Sequence, residues 1–365
     1  MENANQKGRF MKHQVIFLFI LIFLLTGCTQ ALPAASSGPP GESTASPFSS
    51  TSPSPATTSP QQTGEVDLGS LGVGPAEERQ KDSRGSFLNY EGGEMRMPYF
   101  LESTGIIRQC GIGILLFVDG HPQPYRLSDA EEYTYMHVFY PDTPKITFDL
   151  CFVPVTGSEG DELEVYIEAL PSPEYMPSQG PQNRMVYTSG STGGGTRLKY
   201  LADPPATVFP EKSLRLSAPE IQKTDCTYSD VVGWTDADWK EKVSSRFQIN
   251  GQPENGPNRI YEITAQEKVP LHYEVWGCEN LQSTLVIFVD NVPVFGPEGQ
   301  LPELPLENGK KTVVDMALDM TDFTGESVIY AIRVPRNYRS SGVGPYGDLR
   351  PERTFFLLAG TDPDK

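Results

Sequence analysis

One strand-and-turn phrase occurs twice in this chain. Ile114-Leu115-Leu116-Phe117-Val118-Asp119-Gly120-His121-Pro122 returns 171 residues later as Leu285-Val286-Ile287-Phe288-Val289-Asp290-Asn291-Val292-Pro293. The flanking blocks keep the same order. Glu94 with Met97-Pro98 matches Glu267 with Val269-Pro270, and Lys145 to Leu150 matches Lys311 to Met316. Val165-Tyr166-Ile167 before Pro171 matches Ile329-Tyr330-Ala331 before Pro335, and Leu198 to Ala202 matches Phe355 to Ala359. The offset drifts from 173 down to 157 residues, as loops change length while strands persist. This constrains the fold to two copies of one domain, 85–205 and 256–365.

Each copy reads as strands. Around Phe117 both faces are apolar, which suits a central strand. Asp119-Gly120 and Asp290-Asn291 accept the positive φ of a tight hairpin, and the proline that follows restricts the returning strand to an edge position or a bulge. From Lys145 the pattern alternates, with Phe148, Leu150 and Phe152 inward against Thr147, Asp149 and Cys151. About six or seven short strands per copy, starting near Phe87 and Ile260, indicate an all-β chain of two tandem immunoglobulin-like antiparallel β-sandwich domains. Helix is scarce: Ser128 with Glu131 predicts one capped turn, and Thr235 with Asp238 a second helix running to Phe247.

The stretch 206–255 aligns with nothing ahead of the first copy. It reads as a connector with a short helix and holds Trp234, Trp239 and Cys226. Trp234 and Trp239 are candidate ligand-binding residues. The plainer reading, and the one favoured, packs them between the two domains.

The N-terminus carries an address. Lys7, Arg9, Lys12 and His13 form a basic head, Val15 to Leu25 is an apolar run of 11 residues, and Leu25-Thr26-Gly27-Cys28 closes it. The run is too short for a membrane helix, which needs about 20 residues, and suits a signal peptide. The closing four residues resemble the lipobox of bacterial lipoproteins. That resemblance implies cleavage after Gly27, removing 1–27, and a lipid on Cys28 that anchors the chain to the cell membrane on its extracytoplasmic face.

Residues 28–84 read as the lipidated cysteine and a linker. From 30 to 64 nearly every residue is Ser, Thr, Pro, Ala or Gly, with Glu42 the one charge and Phe48 the one aromatic. Such a segment cannot bury enough apolar surface to order itself, and a chain of that length spans ~35 Å or more.

The whole chain carries a net charge of −18, and loss of residues 1–27, with Lys7, Arg9 and Lys12 against Glu2, leaves −20. This argues against nucleic acid and against lying flat on anionic lipid.

Catalytic and cofactor signatures are missing from the sequence. His121, His137 and His272 have no metal-type spacing, and no G-x-S-x-G elbow or Ser-x-x-Lys occurs. Ser189 to Gly195 is glycine-rich but lacks the Lys of a phosphate loop and reads as a loop between strands. Glu159, Asp161, Glu162 and Glu164, or Asp236 and Asp238, could hold calcium but depart from the spaced loop pattern. Asp149 and Asp315 occur in both copies and suggest a shared structural role. Exported cysteines can pair, and Cys110–Cys151 with Cys226–Cys278 is the tidy arrangement. Free buried thiols are the alternative, since the cysteines do not align between copies.

These observations point to a membrane-anchored extracytoplasmic lipoprotein that binds or scaffolds, without cofactor or metal. Its partner would be a protein or a cell-wall polymer or glycan. The alternatives are an envelope hydrolase with a site assembled from distant segments, and an accessory structural subunit of an envelope assembly.

Overall fold

A computed structural model of the chain describes residues 67–175, 186, 192–206, 215–249, 252–253, 260–263, 268–320, 326–337 and 356–360. The expected signal segment, Cys28 and the Pro/Ser/Thr-rich stretch up to residue 66 lie outside the described residues.

Regular structure in the described chain is nearly all strand, in four sheets. The first sheet runs in the order β1 (Leu71–Pro75), β4 (Met95–Ser103), β9 (Lys145–Phe152), β7 (Arg126–Leu127). The second runs β2 (Gln80–Asp82), β3 (Gly85–Tyr90), β11 (Thr192–Tyr200), β10 (Glu162–Pro171), β5 (Ile112–Val118), β6 (His121–Pro122). Strand β8 (Met136–Phe139) also pairs with β5.

The second copy repeats this plan. In the third sheet β12 (Arg215–Leu216) and β13 (Glu220–Asp225) both pair with β21 (Lys310–Asp319). Next come β17 (Lys268–Gly277), β14 (Val243–Ile249) and β15 (Gln252–Pro253). The fourth sheet runs β16 (Ile260–Ile263), β23 (Phe356–Gly360), β22 (Glu326–Pro335), β18 (Gln282–Val289), β19 (Val292–Val294), with β20 (Glu303–Pro305) also on β18. Pairing is antiparallel except for β3 with β11 and β16 with β23, one parallel pair in each copy.

Alternation along the central strands explains the stacking. Ile114, Leu116 and Val118 enter the first sandwich core, while Leu115 and Phe117 point the other way. Leu285, Ile287 and Val289 enter the second core, while Val286 and Phe288 point out of it. The outward sets meet. Leu115, Phe117 and Leu170 join Val286, Phe288, Tyr330 and Ile332 in one buried cluster, so the second and fourth sheets pack face to face. This is why the central strands are apolar on both sides. The turns behave as their residues demand: Asp119, Gly120, Asp290 and Asn291 all hold positive φ, the region where Gly, Asn and Asp are tolerated.

Several expectations change. Strands β1 and β2 lie within 28–84, the span assigned to linker. The 206–255 connector is not separate: β12, β13, β14 and β15 build the third sheet. The helices whose bounds are described are α1 (Gly105–Gln109) and α2 (Asp238–Glu241), with one 3-10 turn at Pro297–Gly299; Val186 is also helical. The Thr235 helix stops at Glu241 because the next residues, Val243 to Ile249, pair with β17. Ser128 starts no helix. Register also corrects the repeat. Pro98 lies opposite Asp149, but Pro270 lies opposite Ala317, so the proline match and the aspartate match differ by two residues. Gly193, Gly194 and Gly195 belong to β11 rather than to a loop. A Cβ at Gly193 would collide with Glu168 and Tyr166 of β10, which accounts for glycine there.

Candidate functional site

The outer face of the third sheet carries a ladder of polar side chains. His272 faces Asp315 on one side and Gln248 on the other, and Glu274 faces Val313 and Arg246. Strand alternation sends these outward while Leu271, Tyr273 and Val275 enter the core. Lys311 Nζ lies 2.6 Å from Glu274 and Arg246 donates to Glu274 at 2.8 Å. His272 Nδ1 stands 2.6 Å from Asp315 Oδ1, and its Nε2 faces Glu274 at 3.7 Å.

Residues 226–242 fold over one end of this ladder. The anchor is Asp230, whose side chain is only 3% exposed. Its carboxylate accepts from the Thr227 amide at 2.8 Å and hydroxyl at 2.7 Å, and lies 3.6 Å from both Lys311 and Arg246. Burial works to raise its pKa, but the Thr227 hydrogen bonds with Lys311 and Arg246 outweigh it and hold the carboxyl below its ordinary value. The Trp276 indole donates to the Asp230 carbonyl at 3.1 Å. The loop is therefore pinned through both side chain and backbone.

Beyond that anchor the loop presents apolar groups to solvent. Tyr228 is 83% and Val232 61% exposed. Trp234 and Trp239 are half-buried against each other, ring centroids 5.1 Å apart and edge to face. Asp238 fixes the turn between them, accepting from the Thr235 amide at 2.6 Å and hydroxyl at 2.9 Å. Its ion pair with Lys242, with these bonds, lowers its pKa to about 2. Gly277 lies beneath at φ +96°, where a Cβ would collide with the Lys242 carbonyl and the Trp234 ring.

The candidate tryptophans thus lie on the far side of the second sandwich, not between the two copies. The interface needs no help from them, being filled by the outward residues of the central strands. All three tryptophans of the chain, Trp234, Trp239 and Trp276, gather at this one place. Sequence reasoning missed Asp230, Glu274 and Lys311, because no spacing rule joins a loop acid to residues on two distant strands.

Other expected groups resolve differently. Cys110, Cys151, Cys226 and Cys278 are all free thiols, so neither expected disulfide forms. Strand geometry separates the partners. Cys110 packs on the first core while Cys151 sits outward near Glu94, Arg126 and Arg96. Cys278 is inside the second core while Cys226 stands near Asp230 and Lys311. Glu162 pairs with Arg84 and Arg197, and Asp161 accepts from the Ser158 amide, which commits them to structural contacts. No group of three or more His, Cys, Asp or Glu converges on a metal position among the described residues. Asp149 pairs with Arg96 at 2.7 Å, a cross-strand contact like that of Asp315 with His272. His121 Nδ1 lies 3.1 Å from the Asp119 carbonyl, and His137 Nε2 3.1 Å from the Tyr125 carbonyl. The His272–Asp315 pair has the orientation of a general-base dyad, yet its free nitrogen faces a carboxylate where a nucleophile would stand.

No family model and no curated protein matches the chain. Solved structures similar to it include fibronectin(III)-like modules of CbhA from Clostridium thermocellum, 6% identical, covering 79% of this chain and 93% of that one at TM-score 0.19. A protein titled as membrane anchored, from Corynebacterium diphtheriae, is 9% identical, covering 80% of this chain and 59% of that one at TM-score 0.19. The CupB6 tip adhesin from Pseudomonas aeruginosa is 9% identical, covering 80% and 98% at TM-score 0.18. No described helix is long and apolar enough to cross a membrane.

Proposed function

We propose that the chain is a lipid-anchored module on the extracytoplasmic face of the cell membrane, attached through Cys28 after cleavage behind Gly27. Its role is to bind a protein or wall-polymer partner through the 226–242 loop, not to catalyse a reaction. The observation that carries the binding role is the pairing of exposed Tyr228 and Val232 with a buried anchor, Asp230, beneath them. Aromatic groups held out on a fixed support lose little entropy when they meet a partner. The net charge of −18 disfavours anionic lipid as that partner. The anchor rests on the basic head, the apolar run and Leu25-Thr26-Gly27-Cys28.

Fractionation of cells making wild type and Cys28→Ala tests the anchor. Wild type should sediment with membranes and carry the mass of two acyl chains or more on a new N-terminal cysteine. Cys28→Ala should lose that mass. An unprocessed N-terminus on the wild type would end the lipoprotein reading.

A further inference from the structure

The first sandwich closes its side with its own chain. Strand β7 edges the first sheet, β8 edges the second, and residues 128–135 join them directly. Tyr125, at the head of that segment, bridges Thr134 and is fully buried.

In the second sandwich the strands at those two edges are β13 and β20. They are not consecutive, since β13 comes from the stretch ahead of the copy and β20 lies between β19 and β21. Between them lies an open groove of about 600 Å³. Leu281, Leu304 and Leu306 form its floor, all part of the second core or packed on it. Ile221 of β13 lies opposite Val314, a core residue, so its side chain points inward; it is nevertheless 43% exposed. An inward apolar side chain left that open marks a side of the sandwich that no described residue closes.

The rim has a sign. Glu279 and Glu303 line the mouth. Arg336, the lining cation, is already committed, 2.8 Å from Asp119 and 2.7 Å from Glu303. Lys223 of β13 is paired with Glu307 at 2.9 Å. Along the groove β13 offers six residues, Glu220–Asp225, and pairs with β21 alone among the described strands. A strand edge that no described strand covers, beside an apolar trough, is the geometry of strand addition, in which backbone hydrogen bonds give affinity and alternate side chains fill the trough.

We propose that this groove takes an extended, basic peptide segment of another protein, added as a strand along β13. Every second side chain is apolar and sits on Leu281, Leu304 and Ile221. The intervening Lys or Arg side chains point to the other face of β13, where Glu220 stands opposite Asp315. This site is separate from the 226–242 loop and stands or falls without it.

The test titrates the full chain with three labelled nonapeptides and reads fluorescence anisotropy. One alternates Lys and Val, one alternates Glu and Val, and one is the Lys–Val peptide N-methylated at every second residue. The Lys–Val peptide should bind at least about tenfold tighter than either of the others. Ile221→Lys, and separately Glu220→Lys on an exposed side chain, should weaken it at least about tenfold, while Tyr228→Ser should not. Amide exchange should slow at 220–225 when the peptide is bound. Equal binding by the three peptides, no binding, indifference to both groove variants, or protection elsewhere would each overturn the proposal.

Discussion

Phe117 and Phe288 meet edge to face, ring centroids 6.3 Å apart and planes at 90°, although 171 residues separate them. They hold the same place in their two copies, each opposite a tyrosine, Tyr166 and Tyr330. Two contacts around them are related by the same exchange. Asp119, in the turn of the first copy, pairs with Arg336 beyond the end of β22. Asn291, in the turn of the second, reaches the Pro173 carbonyl beyond the end of β10 at 3.5 Å. The two sandwiches therefore pack as a self-complementary pair, the arrangement of an isologous dimer built into one chain.

Truncating either ring should be costly, because both are fully buried. Phe117→Ala and Phe288→Ala should each lower stability by about 3–5 kcal/mol. The double variant should cost less than the two singles together by about 0.5–1.5 kcal/mol, the coupling of an aromatic pair. Urea denaturation of the four proteins measures this; strictly additive losses would mean that the rings do not meet.

The loop anchor predicts an acid transition. The Asp230 carboxyl is held below its ordinary value, so its contribution to stability is present above the unfolded-state pKa and is lost as pH falls through the folded one. Because all three tryptophans lie at this loop, their emission reports on it. Emission should stay constant from neutral pH down to about pH 4 and change below that. Asp230→Asn should show the low-pH spectrum already at neutral pH. An emission change centred near pH 6–7 would point to a different group.

The four thiols predict a redox-silent fold. Burial raises the pKa of each, that of Cys226 to about 11, so little thiolate is present near neutrality. Native protein should alkylate slowly, at Cys110 and Cys226 first, with Cys151 and Cys278 reacting only on unfolding. Tm should be the same with and without reductant. A mass deficit matching one or two disulfides in protein made outside the cytoplasm would contradict this.

Much of the fold was legible in the residues. The doubly apolar strands at Phe117 and Phe288, their Asp-Gly and Asp-Asn turns and the prolines after them fix central strands, hairpins and edges by local chemistry. What lay hidden needed partners distant in sequence. The apolar outer face of β5 reads only as central, because its cover, β18, is itself a core strand. Strand β13, Glu220-Ile-Gln-Lys-Thr-Asp225, has too little apolar pattern to announce itself and is held by β21 through its backbone. Strand patterns of period two also slide by two residues without penalty, which is how the Asp149 and Asp315 match went out of register. Of the site, the tryptophans were visible as residues, but Asp230 acquires meaning only from Lys311 and Arg246.

The central claim is that the protein meets its partner through the 226–242 loop. The direct measurement is site-specific photo-crosslinking in intact cells, with the full chain. A photoreactive residue replaces Tyr228 in one protein and Glu102, exposed on the outer face of the first sandwich, in another. A discrete adduct of reproducible mass should form from position 228, be absent from position 102, and be lost when Trp239→Ala is added. Equal adducts from both positions, or none from position 228, would contradict the account.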